Sequence, residues 1–304
     1  MTSTASTTTF HTNNPLKLWI PGGHGMLGSR LGNDARAAGH DVVVSGREVD
    51  IADADAVATF MAAHHPQAIV NCAAYTAVDK AESEDADATR INAVGPGVLA
   101  RAAAAIGARI VHVSTDYVFS GTGSTPLSED TPTGPVSVYG RSKRAGELAV
   151  LAANDDAVIV RTSWLYAATH KNFVRTMLTL MADRDQLRVV SDQRGRPTST
   201  TTLSHAILRL LEVKARGVVH VADETGPEGI SWHDFAVAIR EDATARGLPM
   251  KVQGVEAIPT AAYPTPAARP AWSVFATDRY RALTGEPLPP WRAALGRVLD
   301  DLAG

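Results

Sequence analysis

The segment LKLWIPGGHGMLG, residues 16–28, decides the fold because it joins a short apolar strand to a glycine-rich turn and then to a helix. Gly22, Gly25 and Gly28 have the spacing GxxGxxG, which is related to the GxGxxG fingerprint of dinucleotide-binding turns. Glycine permits positive φ and lets the backbone approach a pyrophosphate, toward which the following helix points its N-terminus. The flanking strand and helix favour this interpretation over an ordinary tight turn.

Strands alternate with helices after this turn, which predicts a parallel sheet with crossover helices. The predicted strands of the first half are 16–20, 41–44, 68–71, the apolar run ending at 115, and 157–160. The predicted helices are 26–38, 53–64, 85–106 with an interruption at 95–97, and 138–153. The fold class is therefore α/β: a Rossmann-type doubly wound parallel sheet with a smaller C-terminal α/β substrate domain.

The strict alternation weakens in the second half, where helices are predicted at 172–182, 202–215, 231–245 and from 291, and strands at 187–190 and 218–221. We expect a disordered tail at 1–15, which is rich in Thr, Ser and Asn, and an NAD(P)-binding domain at 16–167. Residues 168–304 would form mainly a substrate-binding domain, with segments near 198–222 returning to the first domain.

The second predicted strand ends in Ser45-Gly46-Arg47, where NAD-selective sites usually carry an acid for the ribose 2′-hydroxyl. A serine and an arginine suggest room and charge for a 2′-phosphate, so we predict NADPH as cofactor, with NADH usable. The alternative is that Arg47 is a solvated loop residue. Asp50, in its strand-to-helix setting, could hydrogen-bond an adenine amino group.

Hydroxyl and carboxyl side chains follow the apolar run at 111–113, at a predicted carboxyl end of the sheet where ligands bind. Tyr139 and Lys143 lie four residues apart and so share one helix face. An ammonium about 4 Å from a phenol favours the phenolate by up to about 4 kcal/mol at an effective dielectric near 20. We therefore expect Thr115, Tyr139 and Lys143 to converge on one carbonyl, with the tyrosine pKa near neutrality. The alternative is an ordinary amphipathic helix start with a solvated lysine.

The composition excludes several classes of protein. A net charge of −3 gives no electrostatic case for binding nucleic acid or an anionic membrane. No segment approaches the roughly 18 apolar residues of a membrane span. Cys72 is the single cysteine, so the chain has no intramolecular disulfide, and a cytoplasmic location is expected.

Seven motifs distributed over residues 16–300 resemble the extended short-chain dehydrogenase/reductase family, and within it the reductases of dTDP-linked 4-ketosugars. The motifs are the glycine turn, NCAAYTAVDKAESE (71–84), STDYVF (114–119), YGRSK (139–143), RTSWLY (161–166), DQRGRPT (192–198) and AYPTPAARP (262–270). One departure is Pro21, where a hydroxylated residue often precedes the first glycine, and it puts one phosphate hydrogen bond in doubt.

The resemblance implies a role for each matching residue. Tyr139 would donate the proton, Lys143 would activate it, and Thr115 would occupy the catalytic serine or threonine position. The cofactor-binding residues implied are Gly22, Gly25, Met26, Leu27, Gly28, Ser45, Arg47, Asp50, Ile51, Ala74, Tyr75, Thr76, Tyr139 and Lys143. The substrate-binding residues implied are Thr115, Asp116, Val78, Trp164 and Arg269.

Some members bind magnesium through carboxylates at a dimer contact. Those ligands cannot be assigned here, so we predict no metal and leave a homodimer open. Two functional alternatives also stay open. One is a reductase of a different dTDP-4-keto-6-deoxysugar, and the other is a non-enzymatic role like that of the regulatory subunit of methionine adenosyltransferase.

Overall fold

The computed structural model describes residues 14–304, which form an α/β protein around one six-stranded sheet. The expected tail at 1–15 lies almost wholly outside these residues. The strands are β1 (Lys17–Pro21), β2 (Asp41–Ser45), β3 (Ala68–Asn71), β4 (Arg109–Thr115), β5 (Val158–Thr162), β6 (Leu165–Tyr166), β7 (Gln186–Val190), β8 (Arg194–Gly195), β9 (Thr198–Ser199), β10 (Gly217–His220), β11 (Ile230–Ser231) and β12 (Gly254–Ile258). The α-helices are α1 (Met26–Ala37), α2 (Ala54–His64), α3 (Val78–Ala81), α4 (Asp85–Thr89), α5 (Gly95–Ala105), α6 (Val138–Ala153), α7 (Phe173–Asp183), α8 (Thr200–Glu212), α9 (Trp232–Ala245), α10 (Asp278–Thr284) and α11 (Trp291–Ala303).

The central sheet is parallel throughout and has the strand order β10-β5-β4-β3-β1-β2. Strand β1 pairs with β2 on one side and with β3 on the other. A crevice therefore opens between the carboxyl ends of β1 and β3, at the point where the strand order reverses. The predicted Rossmann-type, doubly wound fold class is confirmed.

The register of β4 brings polar side chains together at this same edge. Thr115 at the end of β4 lies beside Thr162 of β5, and Asn71 at the end of β3 lies beside His112. All four are buried. The carboxyl edge of the sheet is therefore polar, whereas the strand interiors are apolar.

Apolar helix faces cover both sides of the sheet. On one side α1 and α8 contribute Leu31 and Leu203 to a core with Leu18. On the other side α2, α5 and α6 contribute residues such as Leu99 and Val150. Burial of each such side chain is worth about 1.5–3 kcal/mol, which fixes the helices that carry the site.

The second half builds its own core from α7, α9 and α11, around Phe235 and Leu295, with β7 and β12 paired beside it. From this half, α8 packs on α1, and β10 joins the edge of the central sheet. Within residues 14–304, no helix is both long and apolar enough to cross a bilayer.

The predicted interruption of the helix at 95–97 is wrong. The chain stays helical there, and the irregularity is a wider π-helical turn at Arg90–Val94, directly before α5. Pro96 lies in the first turn of α5, where a missing N–H is tolerated, and the widened turn before it lets the helix continue.

Gly146 allows α6 to approach this π-turn. A Cβ at Gly146 would overlap the carbonyl oxygen of Asn92, so the two helices could not keep their spacing. We expect Gly146→Ala to lower the free energy of unfolding by about 1–3 kcal/mol, as overpacking does. Gly226→Ala is the matched control because its Cβ would meet no atom within 4 Å. Chemical denaturation of both variants checks this, and equal stabilities would contradict the close approach.

Candidate active site

The glycine turn between β1 and α1 is packed tightly against the end of β3. Gly22 has φ of 75°, and a Cβ there would lie 2.6 Å from the backbone nitrogen of Ala73. A Cβ at Gly28 would overlap the carbonyl oxygen of Gly22. Only glycine fits either position, so the sequence spacing reflects a real steric requirement.

The N-terminus of α1 is open toward the crevice. Gly25 is the N-cap residue and supplies no side-chain hydrogen bond, so no cap occupies the amides of Met26 and Leu27. Free amides and the positive end of the helix dipole together suit an anion. This part of the site therefore fits the pyrophosphate of a dinucleotide.

Ser45 is not at the surface of the site. It is fully buried, and its hydroxyl accepts a hydrogen bond of 3.0 Å from the Trp19 indole nitrogen. The indole thus finds its partner inside the core, and the place of Ser45 in the cofactor site stays a prediction. Arg47 is exposed and, among residues 14–304, makes no hydrogen bond or ion pair. It is thus the residue of this pair whose charge is available to a ligand.

Asp50 and Ile51 lie at the end of the next loop, beside the π-turn. Asp50 accepts hydrogen bonds from the Ala52 amide at 3.0 Å and from Arg90 at 2.5 Å. Those two bonds, the amide first, lower the pKa of Asp50, so it is ionised at neutral pH. Ile51 is buried against Gly95.

The loop after β3 is held in place by α4 and the π-turn. The hydroxyl of Tyr75 donates to Glu84 at 2.5 Å, and this bond together with burial raises the pKa of Tyr75 to about 12. Asn92 accepts from the Tyr75 amide and donates to its carbonyl oxygen. Ala74 is half-buried and Thr76 is exposed, so the predicted nicotinamide side of the loop stays accessible.

Thr115, Asp116 and Tyr139 meet where β4 ends and α6 begins. The Thr115 hydroxyl donates to Asp116 at 3.0 Å, and Tyr139 lies close enough to the Thr115 hydroxyl for that group to lower its pKa. Tyr117 packs edge-on against Tyr139, with ring centres 5.4 Å apart. Burial raises the pKa of Asp116 to about 6, and the nearby hydroxyls of Ser273 and Thr115 oppose this rise.

Lys143 is buried, and its Nζ is bonded to β4. Its Nζ donates to the carbonyl oxygen of Val113 at 2.7 Å and lies 3.4 Å from Nε2 of His112. Burial is the largest influence on Tyr139, opposed by the Thr115 hydrogen bond, and raises its pKa to about 12. The predicted pKa near neutrality is therefore wrong, because the ammonium is directed toward β4 and desolvation dominates.

A buried carboxylate fixes α6 to the sheet. Glu147 accepts two bonds of 2.8 Å from Arg161 on β5 and one of 2.6 Å from Ser114 on β4. Arg144 adds a third partner at 2.7 Å. Burial opposes ionisation of Glu147, but the bonds and charge of Arg161 hold its pKa below the usual value. The helix bearing Tyr139 is thereby locked to the strand that ends in Thr115.

Trp164 follows the carboxyl end of β5 and contacts the second half of the chain through Trp232. Its backbone has φ of 49°, which is rare for a bulky residue, and its indole stacks on Trp232 at 3.6 Å. A Cβ at Gly195 would lie 2.8 Å from the same indole. Trp164 is thus held by aromatic packing and remains only partly buried.

Arg269 pairs with Asp79 of α3 through bonds of 3.0 and 2.8 Å. This pair ties the proline-rich arm of the second half to the loop after β3, and Arg269 lies close enough to Tyr117 to affect its pKa. Val78, next to Asp79, packs against the cluster that contains Tyr139. The structure therefore brings Val78 near Tyr139, and Arg269 near the Tyr117 ring that packs on Tyr139.

Several residues of this site were missed from the sequence: Asp79, His112, Glu147, Trp232 and Ser273. An acid one helical turn after the lysine was a usable signal for Glu147. The others depend on contacts between distant segments, which sequence spacing does not reveal. Among residues 14–304, no three His, Cys, Asp or Glu side chains are grouped to hold a metal ion.

The fold is a parallel sheet with a glycine turn at the point where the strand order reverses, and the helix after β4 carries a tyrosine and a lysine. These features define the class of extended short-chain dehydrogenase/reductases. The model of the family described as RmlD substrate binding domain matches residues 16–303, and the chain belongs to this family.

Named relatives agree with this membership. A dTDP-4-dehydrorhamnose reductase of Streptomyces griseus is 43% identical over 95% of each chain. A probable dTDP-4,6-dihydroxy-2-methyloxan-3-one 4-ketoreductase of Streptomyces antibioticus is 40% identical over 93% of this chain and 94% of its own. The crystal structure of dTDP-4-dehydrorhamnose reductase from Bacillus anthracis in complex with NADP has a TM-score of 0.89 and 34% identity, covering 95% of this chain and all of that one.

Glu147→Gln should destabilise the protein strongly, because it leaves the Arg161 guanidinium buried without a countercharge. Breaking such a pair typically costs about 3–5 kcal/mol of the free energy of unfolding. Glu256→Gln is the control, since its pair with Arg188 is exposed and worth little. Urea unfolding at pH 7 measures both. If Glu147→Gln lowers the free energy of unfolding no more than the control does, the buried pair does not anchor α6.

Proposed function

We propose that this chain is an NADPH-dependent dTDP-4-dehydrorhamnose reductase, an oxidoreductase that converts the C4 ketone of dTDP-4-dehydro-β-L-rhamnose into the hydroxyl of dTDP-β-L-rhamnose. The observation that carries the proposal is the meeting of Thr115, Asp116 and Tyr139 at the carboxyl edge of the sheet, across from the glycine turn. The names and extent of the similar relatives support the same substrate class.

The cofactor would lie along the crevice, with its pyrophosphate at the N-terminus of α1 and its 2′-phosphate near Arg47. Gly22 and Gly28 let the turn keep this tight conformation, since a Cβ at either would collide with the protein's own backbone. When bound, NADPH supplies the hydride that reduces the carbonyl carbon. We expect NADH to be accepted less well, because it lacks the phosphate that would pair with the guanidinium.

Tyr139 would protonate the oxygen of the ketone as it gains negative charge. Because its pKa is raised to about 12, the phenol keeps its proton at neutral pH, as a general acid must. An alkoxide is a stronger base than a phenolate, so the transfer is downhill. With the sugar bound, the Thr115 hydroxyl would turn from Asp116 and donate a second hydrogen bond to the same oxygen, in the manner of an oxyanion hole.

The second half of the chain, mainly residues 168–304, would hold the dTDP-sugar against this edge. Trp164 presents a partly buried indole beside it, and Arg269 is held there by Asp79. The Asp116 carboxylate, buried within reach of Thr115, would accept hydrogen bonds from sugar hydroxyls. A homodimer is compatible with this arrangement and stays a prediction.

A second candidate function is the reduction of a different dTDP-4-keto-6-deoxysugar. The similarity to the Streptomyces antibioticus ketoreductase supports this second candidate, because it covers 93% of the chain against 95% for the Streptomyces griseus reductase.

The test is to supply dTDP-4-dehydro-L-rhamnose or its deoxysugar analogues with NADPH, following cofactor oxidation and assigning the C4 configuration by NMR. Fast turnover to dTDP-L-rhamnose supports the first candidate. Turnover with none of them, combined with capture of a partner enzyme, would favour a non-catalytic role.

Tyr139→Phe removes one hydroxyl and keeps the ring packing against Tyr117. The alkoxide then loses its acid, and general acid catalysis is commonly worth about 10²–10⁴-fold, so kcat should fall by about that factor. Cofactor binding should change little. Steady-state kinetics and an NADPH titration measure the two effects, with exposed Tyr263→Phe as control. Near-normal turnover in Tyr139→Phe would remove the tyrosine from the mechanism.

Arg47→Ala should raise the KM for NADPH and leave the KM for NADH nearly unchanged, since only NADPH has the 2′-phosphate. Because one exposed charge-assisted hydrogen bond is lost, we expect the KM for NADPH to increase about tenfold. Arg184→Ala, another exposed arginine, serves as the control. Should both cofactors be affected equally, Arg47 has a structural role and no part in cofactor selectivity.

A further inference from the structure

Asn71, at the end of β3, has a fixed side-chain orientation. Its Oδ1 accepts a hydrogen bond of 3.0 Å from the backbone amide of Ala73. An amide N–H can only donate, so the carbonyl oxygen must be on that side of the asparagine and its NH₂ group on the other. That NH₂ group lies 3.1 Å from Nδ1 of His112.

The orientation of Asn71 determines the tautomer of His112. Nδ1 faces a donor and must therefore present its lone pair, so a neutral imidazole carries its proton on Nε2. The doubly protonated ring would place an N–H against the amide NH₂. Burial, and then the charge of Lys143, hold the pKa of His112 well below its usual value, which agrees with a neutral ring.

The proton on Nε2 is directed at Lys143. The two nitrogens are 3.4 Å apart, and the same Nζ donates to the carbonyl oxygen of Val113 at 2.7 Å. An ammonium has three N–H donors and no acceptor, whereas an amine has a lone pair that can accept from Nε2–H. The imidazole therefore interacts favourably with the amine and unfavourably with the ammonium.

We propose that His112 is a positioning residue whose tautomer, set by Asn71, presents Nε2–H to Lys143 and favours the uncharged form of that lysine. Lys143 of the proposed reductase would then change its charge within the pH range in which enzymes operate. The inference concerns the same site and rests on the proposed function only for its effect on turnover.

The other groups that face Lys143 do not supply this effect. The Cys72 thiol, at the end of β3, has its pKa raised to about 12 by burial and is uncharged. Glu147, on α6 itself, favours the ammonium, but it is shared with Arg161 and Arg144. Burial is the largest influence and lowers the pKa of Lys143 to about 8.

The tautomer can be measured on the unaltered protein by long-range ¹⁵N–¹H correlation spectra at pH 7. The His112 signals are assigned by their loss in His112→Gln. We expect a pyridine-like Nδ1 and a protonated Nε2. A protonated Nδ1, with or without a proton on Nε2, overturns the proposal.

The effect on Lys143 is measured by titrating the lysine ¹³Cε signals. Asn71→Asp keeps an acceptor for Ala73 but forces the imidazole proton onto Nδ1, so Nε2 becomes an acceptor. His112→Phe removes the donor and adds no charge. Both variants should move the Lys143 midpoint upward by about one pH unit, since a hydrogen bond to one protonation state is worth about that much.

A rise in Asn71→Asp alone would reflect the added carboxylate charge and would overturn the proposal, as would no rise in either variant. Lys251, an exposed lysine, is the internal control and should keep its midpoint.

Measurements of activity against pH separate this proposal from the proposed function. If the ammonium of Lys143 supports catalysis, the high-pH limb of kcat/KM should move upward in both variants, in step with the NMR midpoint. Turnover with none of the ketosugars in the unaltered protein would reject the proposed function and leave the tautomer and titration results intact. If the high-pH limb of kcat/KM stays fixed while the NMR midpoint of Lys143 moves, His112 has no influence on the reaction.

Discussion

The ion pair between Glu147 and Arg161 is the interaction on which the rest of the site depends. It joins α6 to β5 inside the protein, and a third bond from Ser114 joins the same carboxylate to β4. Tyr139 and Lys143 lie on α6 and Thr115 ends β4, so one carboxylate sets the spacing between all three. Such a pair stabilises little compared with an apolar contact, but it specifies one geometry, because neither charge can remain buried alone.

Burial gives this site its electrostatic character. Desolvation raises the pKa of Tyr139 and Asp116 and lowers that of Lys143, so each group is moved toward its uncharged form. The Tyr139 phenol is protonated, and the pKa values of Asp116 and Lys143 lie close to neutral pH. Such a set of groups is suited to delivering one proton. The partly buried Trp164, just after the end of β5, stacks on Trp232 of the second half of the chain.

Local patterns in the sequence were enough to predict the sheet, the glycine turn and both ends of α6, because periodicity and glycine spacing act over a few residues. They misplaced the irregularity near Pro96, since the π-turn depends on packing against Gly146. They did not reveal the hydrogen bond of Ser45 because its partner is Trp19, 26 residues away. Helix α10 was missed although Gly285, with φ of 75°, marks its end. The approach of Tyr139 to Thr115 followed from a strand end and a helix start. The contacts of Lys143 with Val113 and His112, and the pKa of Tyr139, required knowledge of packing and burial.

The central claim is that Tyr139 and Thr115 act on one oxygen of a sugar ketone. A crystal structure of the protein with NADP⁺ and dTDP-L-rhamnose tests this most directly. The account predicts that the C4 oxygen of the sugar lies within about 3.2 Å of both the Tyr139 Oη and the Thr115 Oγ1, the distance of a hydrogen bond. A sugar whose C4 oxygen is bound by neither hydroxyl, with its ring away from the carboxyl end of β4, would contradict it.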